Sequence, residues 1–310
     1  LLKESIMISP TRPLDRLTQG PLTLGVELPL DNDWVRTDRA PSTPFGVPDM
    51  RAHAELIGQV DRLGFRAAWL RDVPLFDPAF GDAGQVFELF TYLGYLASHT
   101  DNLLLGTAAA VLPLRQPWLV RKAAASVQAL SEDRLLLGVA SGDRPAEYPL
   151  FGEEFATRGA AFRHAVDVIK GQADDALSEG QAILPAATRP PLLSAGLSQQ
   201  TPEWIGREMD GWLAYPGTPE DHIRRVALWR QVAGDKPYVS FIHLNLEEDP
   251  HAPVRRHRFG LSSGRLALME ELSAMQDAGV NHIGFHLRRN RRPLTETLEE
   301  LGREVLPHFS

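Results

Sequence analysis

Apolar runs of strand length alternate along this chain with longer segments of helical period. The runs at residues 22–28, 67–70, 103–109, 135–140, 191–195, 211–214, 239–246 and 282–287 read as strands. The segments at 50–63, 85–99, 118–130, 159–170, 202–209, 219–232, 265–278 and 294–305 carry apolar residues at three- and four-residue spacing and read as helices. Strands that alternate with helices pair in parallel through right-handed crossovers. Eight such units predict an α/β fold, a single (β/α)8 barrel with long loops at the carboxyl ends of its strands. A doubly wound open sheet is the alternative. Residues 1–20 read as an N-terminal arm and 21–310 as one domain.

Three connections are long: 31–48, 171–190 and 247–264. Long loops in a compact domain are usually functional or mobile. Two consecutive strands end in small or polar residues, Gly106 to Ala110 and Ser141-Gly142-Asp143-Arg144-Pro145. Ligands of parallel α/β proteins sit at such strand ends.

Composition narrows the chemistry. Of 310 residues, 43% are hydrophobic, enough for a sizeable core. The net charge of −8 argues against nucleic acid as a partner. The absence of cysteine excludes disulfides, thiolate metal sites and a cysteine nucleophile. Histidines show no metal-ligand spacing, so no metal site is expected. No run of 18 apolar residues and no signal-peptide pattern stand in the sequence, which makes a cytoplasmic protein, with no membrane partner, the expectation. Neither a GxGxxG fingerprint nor a P-loop is present.

Four segments carry candidate chemistry. The small residues Thr107, Ala108 and Ala109 suit a crowded strand end, or let backbone approach a flat ligand. Gly196, Ser198, Gln200 and Thr201 lie between a strand and a helix. There Thr201 can be a helix cap, or the hydroxyls can hold an anion beside free N–H groups. Ser141 and Arg144 form either a surface turn or a phosphate contact, with Arg144 supplying charge. Asp72, after the second strand, and Glu27, at the end of the first, are carboxylates placed at the barrel mouth; a loop ion pair or cap is the plainer account of Asp72. The run Arg288-Arg289-Asn290-Arg291-Arg292 reads as a solvated loop, or as an attractor of an anionic cosubstrate.

The stretch 106–152 resembles the luciferase-like monooxygenase family. The match lies in GTAAAVLP, in P-x-x-x-x-K-A-A-A-S, in LS-x-x-R-LLLG-V-ASG and in E-Y-x-x-FG. The D-V-P-L-F-D-P and G-D-R-P segments at 72–78 and 142–145 point to one subgroup. The resemblance spans roughly residues 20–309. It implies a flavin-dependent oxidoreductase, using reduced FMN and oxygen on a small organic substrate, with a separate flavin reductase as a possible partner. A deazaflavin used for hydride transfer, or flavin binding without turnover, are the alternatives. The resemblance also implies a cis peptide at Ala108–Ala109 against the flavin ring and a phosphate held by Ser198 and Thr201. Where luciferases carry an arginine this chain has Ser141, and Leu197 replaces an acidic residue. The histidine of many relatives is replaced around Asp72 and Val73, so light emission is not implied. A homodimer is expected through the second and third helices, because residues 85–99 are apolar around most of the helix circumference.

Overall fold

In this computed structural model residues 12–35, 45–80 and 87–309 are described. Gln85, Val86, residues 36–44 of the 31–48 loop and residues 1–11 of the arm lie outside them. Eight parallel strands close on themselves: β1 Thr23–Leu28, β2 Ala67–Leu70, β3 Leu104–Thr107, β4 Leu135–Ala140, β5 Leu192–Ala195, β6 Gly211–Leu213, β7 Tyr238–Leu246 and β8 His282–His286. Closure is made by β8, which pairs with β7 (His282 opposite Val239) and with β1 (His282 opposite Thr23). Eight helices follow in turn: α1 His53–Arg62, α2 Leu89–Ala97, α3 Pro117–Leu130, α4 Arg158–Lys170, α5 Pro202–Glu208, α6 Pro219–Ala233, α7 Arg265–Asp277 and α8 Leu294–Glu300. The fold is the (β/α)8 barrel that the alternation implies.

Side chains of a strand alternate between the helix layer and the barrel axis. Outward residues such as Leu24, Val26, Leu105 and Ile283 meet the helices in one large apolar core. Inward residues make a second, smaller core of Trp69, Leu104, Leu136, Leu193, Leu213, Val239 and Phe241. Two rings need room there. A Cβ on Gly106 would lie 2.3 Å from the Trp69 ring, and one on Gly284 would lie 2.6 Å from Phe241. Glycine in these strands is therefore a packing requirement rather than a weakness.

The lower end of the axis is closed by a short helix, Pro13–Leu17. Leu17 is fully buried in the inner core. The Trp69 indole N–H donates to His282 Nε2 at 2.9 Å, and His282 Nδ1 lies 2.7 Å from Thr23 Oγ1. An indole can only donate, so Nε2 accepts and the proton sits on Nδ1. Nδ1 donates to Thr23, whose hydroxyl donates to the Leu17 carbonyl at 2.5 Å. One chain of hydrogen bonds thus ties β2, β8, β1 and the N-terminal helix.

Three local expectations change. The third strand stops at Thr107 rather than 109; the Ala108–Ala109 peptide is cis, and Ala110–Val111 pairs with the end of β4. The 247–264 connection holds an antiparallel hairpin, Arg255–His257 with Gly260–Ser263, whose second strand pairs in parallel with the end of β7. The last helix passes at Leu301–Val305 into a wider turn, where Gly302 packs against Leu63.

Candidate functional site

The carboxyl ends of the strands surround a cavity of about 930 Å³. Its apolar lining includes Ala108, Ala109, Ala140, Ala195, Leu213, Ala214 and Phe241, small residues for the most part, which form its floor. Alanine recurs here at the ends of four strands. A larger side chain at any of these positions would occupy the cavity itself.

Thr107 sits just below this floor and not in it. It is fully buried, and its hydroxyl donates to the Gly138 carbonyl at 2.6 Å. A Cβ on Gly138 would lie 1.8 Å from the Thr107 carbonyl oxygen. The β3 and β4 backbones therefore approach each other where the chain turns through the cis bond. Thr107 is structural; Ala108 and Ala109 supply the cavity surface.

Asp72 lines the cavity, yet both of its oxygens are engaged. Arg115 Nη2 donates to Oδ1 at 2.8 Å, and Arg115 Nε donates to Oδ2 at 3.0 Å. The Val111 N–H adds a third bond to Oδ2 at 2.9 Å. This is a two-pronged guanidinium–carboxylate pair, the strong form of such contacts. The pair braces the loop that carries Ala108 to Val111, and Asp72 keeps its place on the cavity wall. Its partner is Arg115, not the neighbouring Arg71. Arg71 instead stands 3.6 Å from Glu27, and both line the cavity.

On the β4 side, Ser141 and Arg144 are buried and line the cavity. The Tyr148 hydroxyl, itself buried, donates to the Ser141 carbonyl. Arg144 lies 4.2 Å from the centre of the Phe80 ring and 3.8 Å from Glu147. On the β5 side the loop turns sharply. Gly196, Ser198 and Gln199 have φ of 56, 46 and 61°, in the left-handed region. Successive residues of that kind turn N–H groups into a concavity suited to anions. The Ser198 hydroxyl faces this loop, donating to the Ala195 carbonyl at 3.0 Å. Gln200 fastens the loop to α4, donating to the Gly159 carbonyl at 2.9 Å and accepting from Arg163.

Thr201 departs from the expected pair of phosphate hydroxyls. It is exposed, it is not part of the cavity wall, and its oxygen accepts the Trp204 N–H at 3.2 Å. It is an N-cap of α5. Gly196, Ser198 and Gln200 remain at the cavity.

The third sector, from β7 round to β1, sets the expected Glu27 beside two residues that sequence reasoning missed, His243 and His286. Glu27, His286 and His243 are direct register partners on three adjacent strands. The two imidazoles stack with centroids 4.0 Å apart. His286 is buried, and neither ring nitrogen has a hydrogen-bond partner among the described residues. Burial, with His243 and Arg288 beside it, pushes its protonation well below the ordinary imidazole range. Trp34 packs on both histidines, at 4.8 and 5.8 Å. The signal was available in parity: 239, 241 and 243, like 282, 284 and 286, are the inward positions of their strands.

The arginine run after β8 also differs from a solvated loop. Arg288 is 1% exposed and forms two 2.6 Å bonds with Asp33, while Arg292 pairs with Glu300 at 2.7 Å. Arg289 alone of the run lines the cavity.

The luciferase-like monooxygenase family model matches residues 31–280. The chain belongs to the luciferase-like monooxygenase family. Solved structures agree on the fold. A monooxygenase of Streptomyces bottropensis superposes with a TM-score of 0.74 at 17% identity, covering 93% of this chain and all of that one. An F420-dependent secondary alcohol dehydrogenase, solved with an F420–acetone adduct, gives 0.69 at 15% identity over 92% and 98%. The oxygenating constituent of 3,6-diketocamphane monooxygenase from Pseudomonas putida, solved with FMN, gives 0.66 at 12% identity over 93% and 98%. Within this luciferase-like fold the likeness covers more than nine tenths of the chain. No helix among the described residues is long and apolar enough to cross a membrane.

Proposed function

We propose that this chain is a flavin-dependent oxidoreductase, a monooxygenase that takes reduced FMN and oxygen to a small organic substrate. The observation that carries the reading is the pairing of an alanine-rich floor with a left-handed loop, 196–200, at the same cavity. The volume lies within the range of pockets that enclose ligands of cofactor size, roughly 300–1,000 Å³. The floor would hold the flavin ring at Ala108, Ala109 and Ala140. Ser198, Ser141 and the loop N–H groups would hold the phosphate, with Arg144 supplying charge. When bound, FMN supplies the electron transfer; the protein positions it and keeps water away.

The chain's own residues supply the rest. Asp72 and Arg115 hold the ring-facing loop. Glu27 and His243 stand at the cavity wall as the groups able to hold a proton beside the substrate, His243 backed by the stacked ring of His286. The F420-dependent likeness supports a second reading, hydride transfer with a deazaflavin at the same floor. Absorbance spectra of the purified protein titrated with FMN, reduced FMN and the deazaflavin test both. Saturable FMN binding, with an oxygen atom incorporated into substrate only when protein and reduced FMN are both present, supports the first. Binding of the deazaflavin alone supports the second, and binding of neither overturns the flavin assignment. A reductase partner is tested by mixing with a flavin reductase and following oxygen uptake.

A further inference from the structure

The two loops beyond β7 and β8 contain seven arginines, and their pairing separates them. Arg255 pairs with Glu247 at 2.5 Å, Arg256 with Glu271 at 2.9 Å, Arg288 with Asp33 at 2.6 Å and Arg292 with Glu300 at 2.7 Å. Arg258, Arg289 and Arg291 have no acidic partner among the described residues, and of these Arg258 and Arg289 line the cavity. Each guanidinium is instead placed near an aromatic ring, Arg289 5.0 Å from Trp34 and Arg258 4.7 Å from Phe259. Stacking of that kind orients the planar group and leaves its N–H edge available to a carboxylate. The chain as a whole carries a charge of −8, so unmatched cations at a cavity are not a by-product of basic composition.

The wall beneath them is aromatic. Trp34, Phe45, Phe241 and Phe259 all line the cavity, and Trp34 and Phe45 stack at 6.4 Å. The Trp34 indole N–H is buried and has no acceptor among the described residues. A buried donor without an acceptor is costly, and such groups in a cavity wall point to a ligand or water that satisfies them. The sector is also distant from the loops assigned to the flavin phosphate. In an eight-stranded ring β8 stands opposite β4, and β1 opposite β5.

From this we infer that the substrate is an aromatic acid, its ring against Trp34, Phe45 and Phe259 and its carboxylate on Arg258 and Arg289. The inference rests on the flavin reading for what happens to the substrate, but not for its binding. The test uses 2-naphthoate and 2-naphthamide, which share a ring and differ in charge, titrated calorimetrically against the protein with and without FMN. Naphthoate should bind at least tenfold tighter than naphthamide. The Arg258→Gln, Arg289→Gln double variant, altered only at exposed rim positions, should lose that preference and keep its FMN affinity. Equal affinity for acid and amide in the parent protein, including no measurable binding of either, overturns the inference. So does an unchanged preference in the variant. Loss of FMN affinity there would assign the cations to the cofactor phosphate and overturn it too. A parent that binds naphthoate selectively but no flavin refutes the cofactor reading alone.

Discussion

Arg115 grips Asp72 through two parallel hydrogen bonds, and Asp72 passes the grip to the Val111 N–H. The pair is nearly dry at the carboxylate, whose side chain is 4% exposed. Asp72→Asn puts an amide N–H against a guanidinium and removes the charge. Hydrogen bonds to charged groups are each worth about 1.5–3 kcal/mol, so urea unfolding should show a loss of that order. Flavin affinity should fall with it, because the loop bearing Ala108 and Ala109 loosens. A variant that unfolds like the parent while turnover disappears would return Asp72 to the reaction.

The loop hydroxyls should separate cleanly. Ser198→Ala removes a side chain from the cavity and should weaken FMN binding by about tenfold, roughly 1.4 kcal/mol. Thr201→Ala removes an N-cap and should cost about 1 kcal/mol of stability with FMN affinity unchanged. Fluorescence titration of FMN and thermal melting, run on both variants, check this. The opposite pattern would restore Thr201 as the phosphate ligand.

Acid should destabilise the protein through buried imidazoles. Burial, with Arg66 nearby, pushes His282 down to about 3, and burial with Arg225 pushes His222 down to about 4. Unfolded, both titrate near 6.5. Below that pH the unfolded chain binds more protons than the folded one. The stability they confer is complete above about pH 6.5 and declines as pH falls from there towards 4. Each proton contributes a slope of up to about 1.4 kcal/mol per pH unit. Denaturant unfolding at pH 7.5, 6.0 and 5.0 should show the decline, and His222→Gln should make it shallower. A flat profile over that range would contradict the buried neutral state.

Gly138→Ala should be among the worst small substitutions in the barrel. Its Cβ would meet backbone, the Thr107 carbonyl, which cannot swing aside. Overpacking of this kind costs typically 1–3 kcal/mol and sometimes more. Gly94→Ala, with open space around its Cβ, should be neutral or mildly stabilising. Equal melting temperatures for the two variants would refute the close approach of β3 and β4.

Much of the fold was legible because eight apolar runs alternate with eight helical periods, and parallel pairing follows from that order. Less of the site was. The strand ends at 107–110 and 141–144 declared themselves by small and polar residues. Asp72 could not be assigned, because its partner lies 43 residues away on another loop. Ser198 and Thr201 are two hydroxyls three residues apart, and only the left-handed turn between them decides which faces the cavity. His243 and His286 were hidden inside apolar strands, and Arg288 inside a basic run, where position along the barrel axis rather than residue type sets the role.

A homodimer of mass twice 34.3 kDa is the expected state. Most of the apolar surplus on α2 turns inward, with Leu89, Tyr92, Leu93 and Leu96 buried. Phe87, Tyr95, Leu119 and Leu130, on or beside α2 and α3, remain exposed by 39, 40, 68 and 66%. Light scattering at micromolar concentration should give the doubled mass, and Leu119→Glu with Leu130→Glu should halve it. A monomeric parent would end the proposal.

Among the described residues Trp69 and Leu17 fill the barrel axis beneath the alanine floor, so the cavity opens at the strand ends. A vessel with a single opening imposes an order on its traffic. Whatever rests deepest must arrive first and depart last, and whatever lies above it must clear the mouth before the lower occupant can be exchanged. Steady-state kinetics of a two-ligand reaction here should therefore be sequential and ordered, with the upper ligand trapping the lower one at high concentration.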